Sequence, residues 1–279
     1  MDPNNIYIPS EGTRQGLALK KGTYTDQTPY LLEKRETPWK VPRSGYCVSG
    51  YVHSTTHDRP VGVQSHTELA FFMLVDWRPE VERYQEQSPT VYWEEAGKPH
   101  SYRLDAVVQI RRSKELDASL QTCWVEIKRS DDLRHSWQKL RPRVCEALRS
   151  ARNAGVLFKI ITEKEIRLEE INTLRLFKEV LGDQINFDLL ADIHVLLSGR
   201  RACIHDVVHG LSSKNWPAAM CRRQIWALIS KGVLAVEPLL PVSMHSYVWM
   251  MREHPKYGLG LDIGRSLIDA LTAGWEVRP

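Results

Sequence analysis

Residues 101–130 read SYRLDAVVQIRRSKELDASLQTCWVEIKRS, and this stretch decides the fold. SYRLDAVVQI and QTCWVEIKRS are apolar, β-branched runs of strand length on either side of a polar loop. The pattern predicts two adjacent strands with Asp105 and Glu126 inside them rather than on solvated turns. Strand alternation puts Trp124, Glu126 and Lys128 on one face and Cys123, Val125 and Ile127 on the other. Two carboxylates and an ammonium at the ends of paired strands are what metal-dependent phosphodiester cleavage requires. The acids hold Mg²⁺, the metal activates water, and the lysine orients that water or offsets developing charge. The same residues also suit a plain salt-bridged hairpin on a wet surface, because an Asp followed by Glu-x-Lys is common by chance.

The flanks extend the pattern. Upstream, residues 65–93 read SHTELAFFMLVDWRPEVERYQEQSPTVYW. Leu69, Phe72, Met73 and Trp77 recur at helical spacing, Ser65 or Thr67 is a fitting cap, and Pro79 ends the run. Glu68 falls in the first turn, where an acid is also stabilised by the helix dipole. Downstream, Trp137, Leu140, Val144, Leu148 and Ala151 keep a helical period, with Pro142 as a kink or a restart. Residues 156–162, VLFKIIT, then form a short unbroken apolar run, the signature of a buried strand. The order is helix, strand, hairpin strands, helix, strand, which predicts an α/β sandwich around a mixed central sheet.

This order, together with Glu68, Asp105 and Glu126-Ile127-Lys128, resembles the PD-(D/E)xK, or restriction-endonuclease-like, nuclease fold. More narrowly it resembles TnsA, the endonuclease subunit of heteromeric cut-and-paste transposases. SHTELAFF, YQEQSP, YRLDAVV, WVEIKRS and VLFKIITEKEI carry the likeness, over roughly residues 60–166. One departure stands out: TnsA-type proteins can carry Gln-x-Lys where this chain has Glu126-Ile127-Lys128, the general nuclease form. The resemblance implies Glu68, Asp105 and Glu126 as ligands of Mg²⁺, for which Mn²⁺ can substitute, and Lys128 as the catalytic lysine. It implies cleavage of the 5′, non-transferred strands at transposon ends in double-stranded DNA. A DDE transposase would handle the 3′ ends and an AAA+ regulator would select the target. Gln87, Arg129 and Arg134 are candidate phosphate or DNA contacts. Two other readings stay open: a free-standing restriction or phage-type nuclease, and a nuclease-like fold turned into an inactive DNA-binding or assembly subunit.

With 279 residues the chain is long enough for two modest domains. A net charge of +4 and a pI near 8.7 are compatible with nucleic acid but shared by many unrelated proteins. There is no apolar stretch of membrane-spanning length and no secretory signal pattern, which predicts an intracellular protein; the TnsA resemblance implies the bacterial cytosol and nucleoid, and the lack of a Walker-type phosphate loop argues against ATP use by this chain. The five cysteines include no C-x-x-C pair and read as reduced thiols. His205 and His209 near Cys203 and Cys221 match no established zinc-finger spacing, and His53 and His57 are a similarly weak pair.

Three regions are expected. Residues 1–60 form an N-terminal arm or covering segment. It is rich in Tyr, Pro and Gly, with seven Lys/Arg against three acids between Arg14 and Arg43. Residues 61–166 form the nuclease domain. Residues 167–279 form a mainly helical C-terminal domain in which four helices precede two β-like runs, an order that resembles a winged helix. There Arg222, Arg223 and Gln224 ride on the recognition-like helix, which could face DNA or dock a protein.

Overall fold

The computed structural model describes residues 40–41, 49–111, 120–237, 241–251 and 262–273. Among these the chain divides into two units. The first takes the described residues up to Ile166 and those from Ser266 onward, and the second takes those of Arg167–Arg265.

The first unit opens with a hairpin, β1 (Gly50–Ser54) against β2 (Arg59–Val63), in antiparallel register from Gly50↔Val63 to Ser54↔Arg59. Helix α1 (His66–Trp77) follows, capped by Ser65, whose hydroxyl accepts from the Glu68 N–H. Phe71, Phe72, Met73, Leu74 and Val75 are all buried, so the second half of α1 is enclosed rather than amphipathic. The main sheet is β3 (Val81–Glu86), β6 (Ala106–Arg111), β7 (Leu120–Ile127) and β8 (Leu157–Ile161), side by side in that order. β3, β6 and β7 pair antiparallel, and β8 joins β7 in parallel through the crossover helix α2 (Ser130–Asn153). The architecture is a mixed sheet flanked by helices.

Two features differ from the reading of the sequence. SYRLDAVVQI is not one strand. Lys98–Arg103 is β5, paired with β4 (Thr90–Glu95) in a separate hairpin, and only Ala106–Arg111 enters the main sheet. The break occurs because the backbone changes partners at the junction: Leu104 N–H donates to Pro89 O at 2.9 Å, and Gln87 N–H to Asp105 O at 2.7 Å. Residues 50–60, read as part of the N-terminal covering segment, belong to the β1–β2 hairpin, while residues 1–39 and 42–48 lie outside the described residues.

Asp76 ties that hairpin to α1. Its buried carboxylate accepts from Ser54 Oγ, Thr55 N and Oγ1, Thr56 N and Tyr84 Oη, at 2.7–3.1 Å. Beneath the β4–β5 hairpin, Val91, Leu104, Val107, Trp124, Ala147 and Ala151 form one apolar cluster, which seats the second half of α2 on the sheet. Pro142 sits within α2 without ending it, and Trp137, expected to face inward, is 41% exposed.

In the second unit, α3 (Leu168–Val180), α4 (Phe187–Leu197), α5 (Ile204–Ser212) and α6 (Ala218–Ser230) accompany a small sheet. That sheet comprises β9 (Ala202–Cys203), β10 (Leu234–Val236) and β11 (Tyr247–Met250), with β11 central. The final helix, α7 (Arg265–Thr272), falls almost wholly in the first unit rather than with the C-terminal residues it follows. No described helix is long and apolar enough to cross a membrane.

Candidate functional site

The site gathers where β6 begins and β7 ends. Asp105 occupies the bend just before β6, not a strand interior; Glu126 is the penultimate residue of β7, and Lys128 is the first residue beyond it. Asp105 Oδ2 accepts from the Ile127 N–H at 2.8 Å and from Lys128 Nζ at 3.2 Å. Glu126 Oε1 lies 2.6 Å from the same ammonium. Lys128 therefore bridges the two carboxylates, and its own N–H donates to Ile161 O, tying the end of β7 to β8.

This cluster is electrostatically loaded. The Glu126 side chain is 1% exposed, and its Oε2 has no hydrogen-bond donor among the described residues. The Tyr102 hydroxyl lies near enough to feel that charge but outside hydrogen-bonding geometry. Burial and the Asp105 charge push the Glu126 carboxyl up to about 7 despite Lys128. Burial works against the Lys128 ammonium, yet Asp105 and Glu126 outweigh it and raise the amine, so Lys128 stays charged at neutral pH. Tyr102 is held well above the usual phenol range by burial and by Glu126.

Glu68 joins through α1. Its Oε2 accepts from Gln64 N at 2.9 Å and its Oε1 from Ser65 Oγ at 3.2 Å, a reciprocal cap closed by the Glu68 N–H to Ser65. Burial and the Asp105 charge push Glu68 up to about 7, which places it in electrostatic reach of the same centre. Three acids thus share one ammonium. Among the described residues, however, no three His, Cys, Asp or Glu side chains form a metal-ligand cluster, the His205/His209 and His53/His57 groups included. His57 serves the fold instead: its Nε2 accepts from the Tyr84 N–H at 3.2 Å.

Gln87 borders the site. It is buried, its backbone N–H holds Asp105 O, and its φ of 50° is in the left-handed region that non-glycine residues rarely occupy. Its side-chain Nε2 has no hydrogen-bond partner among the described residues, an unusual state for a buried amide. Glu86, one residue earlier, is gripped at both oxygens by Arg59, at 2.9 and 2.7 Å. Sequence reasoning missed Arg59, Tyr102 and Glu86. Tyr102 was visible as an aromatic three residues before Asp105, whereas Arg59 carries no local signal because it arrives from another hairpin.

The outlying candidates fare differently. Arg129 stands at the N-cap of α2, and Arg134 is an exposed residue one turn into it, 3.4 Å from Asp131. The residues on α6 are mostly engaged within their own unit. Arg223 pairs with Asp183 at 2.6 Å, and Gln224 is buried, receiving the Asn186 N–H and donating to Gln184 O. α6 also packs along α3, where Phe177 meets Trp226. Arg222 and Arg223 are both exposed to solvent, Arg223 while paired with Asp183, and Gln224 alone of the three is buried. No protein-family model matches the chain, and no curated protein sequence matches it.

Proposed function

We propose that this chain is a Mg²⁺-dependent DNA endonuclease of the restriction-like type, acting as a TnsA-type subunit. In that role it cuts the 5′ strands of transposon ends beside a DDE transposase and under an AAA+ regulator. The observation that carries the reading is the placement of Asp105 and Glu126 on one lysine at the end of a mixed sheet. The order that delivers them is α1, β3, β6, β7, α2, β8. A salt-bridged hairpin on a wet surface fits less well, because a solvated pair has no reason to bury Glu126 and leave one of its oxygens without a donor.

The donor set fits a hard divalent cation. Mg²⁺ is commonly held by one or two carboxylates, with water and substrate phosphate completing its shell. Asp105 and Glu126 supply that pair, the bare Glu126 Oε2 is an available ligand atom, and Glu68 adds negative charge behind them. When bound, the metal would supply Lewis-acid stabilisation and a more acidic water. Lys128 acts as a donor and fixed positive charge rather than a base, because both acids keep it protonated. Asp105 also accepts the Ile127 N–H, which fixes its carboxylate against rotation.

The second unit supports a docking role. The order α4, β9, α5, α6, β10, β11, with β11 central in the sheet, resembles that of a winged helix. Its recognition-like helix is partly occupied: α3 lies along it and Asp183 holds Arg223, although Arg222 and Arg223 stay exposed. Protein docking is therefore favoured over base reading by α6. The test is plasmid nicking with Mg²⁺, for the chain alone and with its transposase, using Asp105→Asn, which keeps an acceptor for Ile127. We expect partner-dependent nicking that falls at least ~10³-fold in the variant. Undiminished nicking by Asp105→Asn would sink the assignment.

A further inference from the structure

We propose that the outer face of α2 is the duplex-binding track of this chain; the proposal rests on the nuclease reading and adds the surface that presents DNA to the site. α2 leaves the sheet two residues after Lys128, so it starts at the candidate centre. Its Arg143 is close enough to influence the Tyr102 hydroxyl, the neighbour of Glu126. Residues 134–139 are exposed all the way around the helix, so its first turns project from the core instead of lying on it. Burial resumes with Leu140, Val144, Ala147 and Ala151.

The exposed residues are ordered. Arg134, Gln138, Arg141, Cys145, Arg149 and Arg152 are all exposed and fall within an arc of about 80° at ~100° per residue. α2 carries six Lys/Arg against three acids, so it holds +3 of the chain's net +4. Two of the acids, Asp131 and Asp132, sit in the first turn, where they complement the helix dipole; the third, Glu146, pairs with Arg149 at 2.6 Å. From Arg134 to Arg152 the stripe spans roughly 27 Å, most of one ~34 Å turn of duplex. A linear cationic stripe of that length complements a phosphate backbone. Gln138 and the half-exposed Trp137 lie among the arginines as hydrogen-bonding and stacking groups.

The test uses the full chain, a fluorescein-labelled 30-base-pair duplex carrying the transposon end, and Ca²⁺ in place of Mg²⁺ to hold the complex uncleaved. The triple variant Arg134→Glu/Arg141→Glu/Arg152→Glu should bind at least about tenfold more weakly at moderate salt. Its log-affinity against log-salt slope should shrink by about 0.9 for each phosphate it no longer neutralises. A second measurement does not depend on the triple variant folding. In a Cys47→Ser/Cys203→Ser background, with Cys123 and Cys221 buried, a photocrosslinker on Cys145 should attach to the duplex. Wild-type affinity and slope in the triple variant, with no crosslink from Cys145, would overturn the track. That pair of results is also what an acidic protein partner on α2 would give. A chain that binds and crosslinks through α2, yet cuts nothing with Mg²⁺ and transposase present, would sink the nuclease reading alone.

Discussion

Replacing Glu126 by Gln should make the metal-free protein more stable at alkaline pH, although it removes one partner of an ion pair. The Glu126 carboxyl is buried, 2.6 Å from Lys128 on one oxygen and without a donor on the other. Its raised titration, from the ordinary 4.5 to about 7, means that the folded state binds the proton more tightly than the unfolded chain. Stability from this residue is therefore fully present below about 4.5 and is lost as pH rises through about 7. A difference of that size is on the order of 3 kcal/mol, and charge sharing with Asp105 and Lys128 brings the observable part to ~1–3 kcal/mol. Gln keeps an acceptor for Lys128, and its amide N–H₂ takes the place of an oxygen that already lacks a partner among the described residues, so the count of orphaned groups does not rise. Urea unfolding in EDTA at pH 4.5, 6, 7 and 8 measures the effect. The variant should match the wild type at pH 4.5 and exceed it at pH 8, with a flatter profile between. Added Mg²⁺ should then recover wild-type stability at pH 8 and do nothing for Glu126→Gln. An unchanged pH profile in EDTA, or a variant weaker than wild type at pH 8, would refute the argument that this carboxylate is held at a cost.

Two more outcomes follow from the hairpin clasp. Asp76→Ala should lose ~3–5 kcal/mol in the same urea assay, because Ser54, Thr55, Thr56 and Tyr84 are all left with unsatisfied donors. Burial and the Arg59 charge lower the titration of His57, and its Nε2 must be unprotonated to receive the Tyr84 N–H. The stability it contributes is present above the unfolded-state value near ~6.5 and is lost as pH falls below it. His57→Gln should flatten the acid limb of stability between pH 7 and pH 5; an unchanged limb would mean the imidazole is not the titrating group.

How much of this was legible depended on distance along the chain. Helix α1, its Ser65 cap, the Glu126–Lys128 alternation and the β8 run are local signals, and each is present where the periodicity places it. The four helices and two terminal strands of the second unit were likewise readable from period and breakers. The break at Leu104–Asp105 was not, because the residues on both sides are equally strand-like. What divides them is a change of hydrogen-bond partner from β4 to β3 and β7. Trp137 misled for a different reason: a helical period says which residues share a face, but not where along the helix the core ends. The Asp183 and Gln184 bonds that occupy Arg223 and Gln224 span about forty residues, and they tie down two side chains that α6's own sequence offers as free.

The return of α7 to the first unit means that the second is an insertion, entered at Ile166–Arg167 and left at Arg265–Ser266. Removing everything beyond residue 166 would not simply subtract the second unit. It would also strip Leu267, Ile268 and Leu271 from the first, along with the Ala273 carbonyl that receives Lys159 Nζ at 2.5 Å. An isolated first unit is better made by replacing residues 167–264 with a short Gly/Ser bridge than by a stop codon. For the same reason, a single proteolytic nick at the entry junction should leave two fragments that co-purify, since the downstream piece still carries part of the upstream core.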